Sequence, residues 1–374
     1  VWQHLWVSVI GRRAVSALGL ANRLLPDHLK REDAAYAAQP VFENQLLEAT
    51  DETMTKKKPN LRVVSLIASS TEILNALGAG KLQVGRSHEC DYPPSVLDLP
   101  AITRPKFSVR GGSAEIDKRV RTLVEKGLSV YEVDADALEA LHPDVILTQD
   151  QCQVCAVSLR DVEKAVCKLL HADPRIVSLH PHTLDDIYRD IGAIADAIDD
   201  PQAGKKLVAS MKKRFAAIRD KVADQPRKRL AFIEWVDPPM SGGHWMPELI
   251  DIAGGESVFG TTGQPSPWIT LKDVAAADPD VIVIAPCGYD LEITQREVRP
   301  LARYAIWQQM RAVREGNVFL ADGNAFFNRP GPRLVESCEI LAEIMHPDVC
   351  DFGLRGEAYV KYKMARAGVI EKVA

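Results

Sequence analysis

Long apolar runs, excess positive charge and cysteine are what this 374-residue chain has little of. No window approaches the roughly 18 consecutive apolar residues of a membrane-spanning helix, so none is encoded. Lysine and arginine (46) are outnumbered by aspartate and glutamate (51), for a net charge of -5. A nucleic-acid binder needs a basic surface to offset phosphate, so nucleic acid is not an expected partner. Seven cysteines, an odd number, are too few for a disulfide scaffold in a chain this long and favour a reducing compartment. Catalytic signatures are missing as well: there is no Ser-His-Asp order, no phosphate-binding glycine loop and no acid pair in a suitable setting. The expectation is a binding protein rather than an enzyme, and a monomer. What is present is ordinary globular composition, 46% hydrophobic and 26% charged, over a length that suits two or three domains.

Residues Val1 to Leu25 are apolar with scattered arginines (Arg12, Arg13, Arg23) and show no compact basic start, apolar core and cleavage site in sequence. That pattern reads against a secretory signal and leaves an organellar transit segment open. The expected compartment is therefore the cytosol or an organelle. Residues 1–60 are expected to be an extension or linker that adds nothing to the central function.

From Arg62 onward β and α signals alternate. Arg62-Val-Val-Ser-Leu66 is a β-branched run, followed by Ala68-Ser-Ser-Thr-Glu72, whose hydroxyls are good helix N-caps, and by an apolar helix from Ile73 that ends at Gly78 or Gly80. Further strands are expected near Val84, at Ser129 to Val133, Val145 to Thr148, Ile176 to Leu179, Leu230 to Trp235, Val281 to Ala285 and Val318 to Ala321. Continuous apolar strands between helices predict parallel sheets covered on both faces. Two echoes recur in the same order. Glu72-Ile-Leu-Asn-Ala-Leu-Gly-Ala79 resembles Glu248-Leu-Ile-Asp-Ile-Ala-Gly-Gly255, and Pro143-Asp-Val-Ile146 matches Pro279-Asp-Val-Ile282. They predict a duplicated lobe: 61–183 and 224–347, with a stiff helical joint over 184–223 and a tail over 348–374. In that joint Ile187, Ile191, Ile194 and Ile198 keep helical spacing, and Pro201 suits a first turn. The fold class is α/β, two lobes with parallel sheets and a ligand cleft between them; a stiff joint allows only small rocking.

Ligands of open parallel sheets bind at the carboxyl ends of the strands. The six segments there hold four of the seven cysteines and two of the six tryptophans, dense with amide and hydroxyl groups. That composition suits a large, partly apolar ligand with amide or carboxylate edges. The segments nominate Ser70, His88, Asp91, Tyr92, Asp150, Trp235, His244, Trp245, Phe326 and Asn328 as ligand-facing. Trp235, Trp245 and Phe326 are read as pocket walls. His244 could ligate the metal of a bound corrinoid or haem, or could cap the helix that follows.

These segments, in order, resemble the vitamin B12-binding substrate-binding proteins of ABC importers, a class that also binds iron-siderophores and haem. The likeness runs from about Arg62 to Pro347 and rests on Arg62-Val-Val-Ser-Leu-Ile-Ala-Ser-Ser-Thr-Glu72, Cys90-Asp-Tyr-Pro-Pro94, the two Pro-Asp-Val-Ile runs, Pro238-Pro-Met-Ser-Gly242 and Arg329-Pro-Gly-Pro-Arg333. The resemblance implies two Rossmann-like lobes joined by a backbone helix, and a periplasmic setting. It implies corrin contacts near Glu89, Phe107, Gln149, Trp235, Asn324, Phe326 and Arg329, with cobalamin or a related corrinoid as ligand. It further implies docking onto an ABC permease through an acidic residue on each lobe, here Glu115 and Glu256. The family's aromatic residues after the second and fourth strands are replaced by His88-Glu-Cys90 and by Gln149 beside a Cys-x-x-Cys. Cys152 and Cys155 could be a redox pair, half of a zinc site completed by His88 and Cys90, or small residues in a tight loop. Zinc, haem or iron-siderophore binding through this Cys/His cluster is thus the alternative function, with a thiol redox or corrinoid-modifying enzyme ranked after it. Cys167, Cys338 and Cys350 are expected to be core thiols.

Overall fold

The computed structural model describes residues 61–125, 130–150 and 174–363. The extension over 1–60 and the thiols Cys152, Cys155 and Cys167 lie outside the described residues.

The first lobe is built on a parallel sheet of β1 (Val63–Ser65), β2 (Gln83–Arg86), β5 (Val145–Gln149) and β6 (Arg175–Leu179), in the order β2-β1-β5-β6. Val63, Val64, Ile146 and Leu147 are wholly buried, as continuous apolar strands covered on both faces must be. Helix α1 (Ala68–Ala76) follows β1 directly. Its N-cap is Ile67, with no side-chain cap bond, so the expected capping by Ser or Thr hydroxyls is not found. The hydroxyls sit inside the first turn instead, and Ser70 Oγ donates back to the Ile67 carbonyl at 3.0 Å. The helix gives way at Gly78, whose φ of 75° is one that residues with a Cβ rarely adopt. The run near residue 131 does not join the parallel sheet. As β4 (Tyr131–Val133) it pairs antiparallel with β3 (Thr103–Pro105), on either side of helix α2 (Ser113–Glu125).

The second sheet is mixed. Strands β7 (Lys228–Trp235), β10 (Val281–Ile284) and β11 (Val318–Ala321) run parallel, β9 (Gly255–Ser257) is parallel to β7, and β8 (Met240–Ser241) pairs with β7 antiparallel. The residues read as a tail supply β12 (Tyr359–Lys361), which closes the far edge antiparallel to β11. The centre of the sheet is parallel as expected, with antiparallel strands added at its edges, one of them from beyond residue 347.

The duplication read from the Pro-Asp-Val-Ile runs has a physical basis. Asp144 accepts the Arg62 N–H at 2.9 Å, and Asp280 accepts the Arg229 N–H at 2.8 Å. Each arginine side chain then donates, at 2.6 Å, to a carbonyl two residues before its proline, Leu141 or Ala277. The same four-part joint thus locks β1 to β5 and β7 to β10.

Two helices, not one, carry the chain between lobes: α4 (Leu184–Ala197) and α5 (Pro201–Val222). Thr183 and Asp186 form a reciprocal capping box on α4. Asp199 turns the chain with φ 57°, and Asp200 caps α5 ahead of Pro201. Ile187, Ile191 and Ile194 on α4 and Met211, Phe215 and Ile218 on α5 are buried in one apolar cluster with Val63 and Leu147 of the first lobe and Leu230 and Val283 of the second. The joint is core, not a strap over it. Helix α6 (Met246–Ile252) and helix α11 (Leu334–Met345) pack against α5 from the second lobe.

Candidate functional site

The carboxyl ends of both sheets meet at Arg329, in the loop after β11. The loop is shaped by its own polar side chains. Asp322 accepts the N–H groups of Asn324 (2.9 Å) and Ala325 (2.7 Å), and Asn328 Nδ2 donates to the carbonyls of Gly323 (2.9 Å) and Ala285 (3.2 Å). Phe327 is wholly buried against Phe232, with ring centroids 5.2 Å apart. Arg329 is thereby aimed at the first lobe. Its Nη1 donates to Glu72 (3.0 Å) and Asp91 (2.5 Å), and its Nη2 to Asp91 (3.0 Å), Asn324 (2.9 Å) and the Glu89 carbonyl (3.4 Å). Asn324 Nδ2 completes the ring by donating to Asp91 at 2.9 Å. The fork on Asp91 is the bidentate geometry in which guanidinium pairs are strongest.

The charges here are confined. Arg329 is 7% exposed and Glu72 3%. Burial pushes the Glu72 carboxyl up despite Arg329. Burial also works against the Asp91 carboxylate, but the Arg329 fork outweighs it and holds its pKa below the usual range. Arg333 stands 3.9 Å from Glu72 and lies over two rings, Tyr92 at 4.2 Å and Phe326 at 4.5 Å, one from each lobe.

Aromatic pairs extend from this hub into each lobe. In the first, His88 and Tyr131 stand 5.0 Å apart, and the Tyr131 hydroxyl donates to Glu89 at 2.7 Å. In the second, Trp235 and Tyr289 stand 5.3 Å apart, and the Tyr289 carbonyl accepts the Asn324 N–H at 3.0 Å. A continuous path runs from Tyr131 through Glu89, Arg329 and Asn324 to Tyr289. Farther out, Ser113 N donates to Glu297 of helix α8 (Leu291–Glu297) at 2.8 Å, and Arg121 lies 5.3 Å from the Trp268 ring. Helix α2 of the first lobe thus reaches the second lobe as well.

Several nominated residues lie elsewhere than expected. Ser70 is wholly buried, with its hydroxyl bonded to Ser65 and Ile67. Trp245 is core rather than wall: it is 7% exposed and its indole donates to the Phe327 carbonyl at 2.9 Å. Asn328 is spent on holding its own loop. Phe107 packs on the first-lobe apolar cluster, Gln149 is buried at the end of β5, and Asp150 is exposed. His244 does not cap α6, whose N-cap is Trp245. Its Nδ1 sits 3.2 Å from His182 Nδ1, and burial together with that neighbour lowers its pKa to about 4.

Of the four soft metal ligands, two can be placed. His88 Nδ1 lies 2.7 Å from the Thr103 hydroxyl. Cys90 is 1% exposed, accepts from Thr71, and has its thiol pushed up to about 11 by burial, which keeps it protonated. Among the described residues no group of three or more His, Cys, Asp or Glu is placed to hold a metal ion. Glu115 and Glu256 are both exposed, on α2 and β9 respectively, one in each lobe.

Glu72, Tyr131, Tyr289 and Arg333 were not nominated from sequence. The available signal was Glu72 itself, a carboxylate in the middle of a buried helix that carries no basic residue.

A sequence model described as "Periplasmic binding protein" matches residues 63–325. The vitamin B12-binding protein of Vibrio cholerae serotype O1 is 23% identical over 294 residues, 78% of this chain and 91% of that protein. An uncharacterized ABC transporter substrate-binding lipoprotein of Bacillus subtilis is 24% identical over 328 residues, 85% of this chain and 90% of that protein. Among solved structures, the periplasmic vitamin B12-binding protein of Vibrio cholerae aligns with a TM-score of 0.54 at 21% identity, over 76% of this chain and 96% of its own. A periplasmic heme-binding protein from Pseudomonas aeruginosa aligns at 0.58 and 18%, over 77% of this chain and 93% of its own. These structural likenesses establish the two-lobed α/β fold.

The matches overturn the cytosolic or organellar expectation, since the family is periplasmic and the Bacillus relative is a lipoprotein. Free cysteine misled the sequence reading for a physical reason. Of the four described cysteines only Cys287 is partly exposed; Cys90, Cys338 and Cys350 are 1% exposed or less, and a thiol sealed in a core reports nothing about the redox state outside. No helix among the described residues is long and apolar enough to cross a membrane.

Proposed function

The chain belongs to the periplasmic binding protein family, and on that premise we propose that it binds a cobalamin-like corrinoid between its lobes, without chemistry, and delivers it to an ABC importer. The observation that carries this reading is a half-buried ring on each lobe, His88 and Trp235, each backed by a buried tyrosine, Tyr131 or Tyr289, and joined through the Arg329 hub. Flat apolar faces with polar groups at their margins suit a broad macrocycle edged with amides. The vitamin B12-binding relatives in Vibrio support the same ligand class. Glu115 and Glu256, exposed on opposite lobes, are the proposed permease contacts.

Calorimetric titration of the purified protein with cyanocobalamin, and in parallel with haemin, tests the ligand. The expected result is saturable one-to-one binding of cyanocobalamin at micromolar concentration or below, with haemin weaker. Silence toward cyanocobalamin from folded protein sinks the reading, and preference for haemin replaces it. For delivery, Glu115→Lys with Glu256→Lys is expected to leave binding intact while abolishing transport in cells that depend on this chain for corrinoid uptake.

A further inference from the structure

Two donors beside the Arg329 hub have no acceptor. The Trp235 indole N–H and the Tyr289 hydroxyl are both shut off from solvent, and among the described residues neither has a hydrogen-bond partner. They sit on neighbouring rings with centroids 5.3 Å apart. Trp235 ends β7 and Tyr289 follows β10 by five residues, so both occupy the sheet edge where ligands of parallel sheets bind. Buried donors are almost always satisfied, and two orphans side by side mark a place shaped for an acceptor that arrives from outside the chain.

Local charge selects what kind of acceptor that is. Glu297 acts on Tyr289 and, by accepting the Ser113 N–H from the first lobe, stands where the lobes meet. Arg296 partly offsets it. Arg329 is already forked onto Asp91 and bonded to Glu72 and Asn324, so it has no free face for another anion. Burial, with the Glu297 charge second, raises the Tyr289 phenol's pKa and keeps it a donor. A carboxylate placed here would shed its water beside Glu297, whose charge outweighs that of Arg296 at Tyr289, whereas a neutral carbonyl would meet the donors without that conflict.

We infer that Trp235 Nε1 and Tyr289 Oη form a two-donor subsite for a neutral amide carbonyl on the ligand's edge, and that this subsite discriminates against ligands edged with carboxylates. The inference rests on the corrinoid reading and deepens it. It names the chemistry by which an amide-edged macrocycle is preferred to one carrying propionates, and it adds Tyr289 to the ligand contacts.

The test compares wild type with Tyr289→Phe and Trp235→Phe, titrated with cyanocobalamin and with cyanocobalamin monocarboxylic acids in which one edge amide is hydrolysed. Each substitution removes a donor and keeps a ring. Each is expected to weaken cyanocobalamin binding about tenfold, which is about 1.4 kcal/mol. Apo thermal stability should stay level or rise in Tyr289→Phe, because the hydroxyl removed has no partner in the apo protein. At least one monocarboxylic acid should bind wild type more weakly than cyanocobalamin, and Tyr289→Phe should narrow that gap. If both variants bind cyanocobalamin as wild type does, the subsite is overturned while the corrinoid reading stands. If wild type itself binds no cyanocobalamin, both fall together. A circular dichroism spectrum matching wild type confirms that lost binding is not lost folding.

Discussion

Removing the Arg329 guanidinium would strand the buried Glu72 carboxylate and leave Asp91, whose side chain is 42% exposed, to water. Arg329→Met is expected to cost about 3–5 kcal/mol in chemical denaturation, because breaking one side of a buried ion pair leaves the other uncompensated. Glu72→Gln in the same chain should recover part of that loss, since Glu72 is the more deeply buried of the two acids. A second buried acid acts alone. Asp190 accepts the His180 N–H at 3.3 Å, its other oxygen has no partner among the described residues, and burial raises its pKa from 3.8 to about 7. Asp186 adds to that rise and Arg189 opposes it. A raised carboxyl pKa means the folded chain holds a proton that the unfolded chain releases. Its contribution is therefore intact below pH 3.8 and lost as pH climbs through about 7. Asp190→Asn should raise the melting temperature at pH 8 and leave it nearly unchanged at pH 4. His244 runs the other way. Its pKa falls from 6.5 to about 4, so stability drops as pH falls between those values, and His244→Gln should flatten that acid limb. At this scale the sequence was only half legible. Loop membership flagged Asp91 and the family resemblance Asn324 and Arg329, but neither could tell a ligand contact from a side chain committed to another lobe. Glu72 and Arg329 are 257 residues apart, and no local pattern joins them.

Elements were more legible than residues where they were long. The four-to-eight-residue strands β5, β7, β10 and β11 and the isoleucine spacing of α4 all appear where periodicity put them. Of the strands of two or three residues, β1 and β4 were expected, whereas β3, β8, β9 and β12 did not announce themselves, because pairing rather than propensity makes them. The linking helices offer a direct test. A Cβ on Gly204 would stand 2.7 Å from the Ala195 Cβ, closer than methyl groups can approach. Gly204→Ala gains about 1 kcal/mol of helix propensity, yet it should lower the melting temperature by forcing α4 off α5. Ala195→Gly in the same chain should restore the contact and reveal part of the propensity gain. Thr183→Ala removes the α4 capping box and is expected to cost about 1 kcal/mol by denaturant titration.

Across the molecule, the paired lobes follow from one joint used twice, Asp144 with Arg62 and Asp280 with Arg229, and from a connector buried as deeply as the sheets it joins. The duplication was readable because four-residue strand entries repeat verbatim; the edge closure by β12 was not, because nothing near Tyr359 resembles the first lobe. That closure has a consequence for how the protein is made. Every strand of the first sheet lies within residues 63–179, so that sheet can complete while the ribosome is still at work. The second sheet waits for residues 359–361, which follow every other described strand out of the ribosome. A nascent chain released early, or trimmed after residue 347, would carry β11 with a bare row of amides and carbonyls, an invitation to pair with a neighbouring copy.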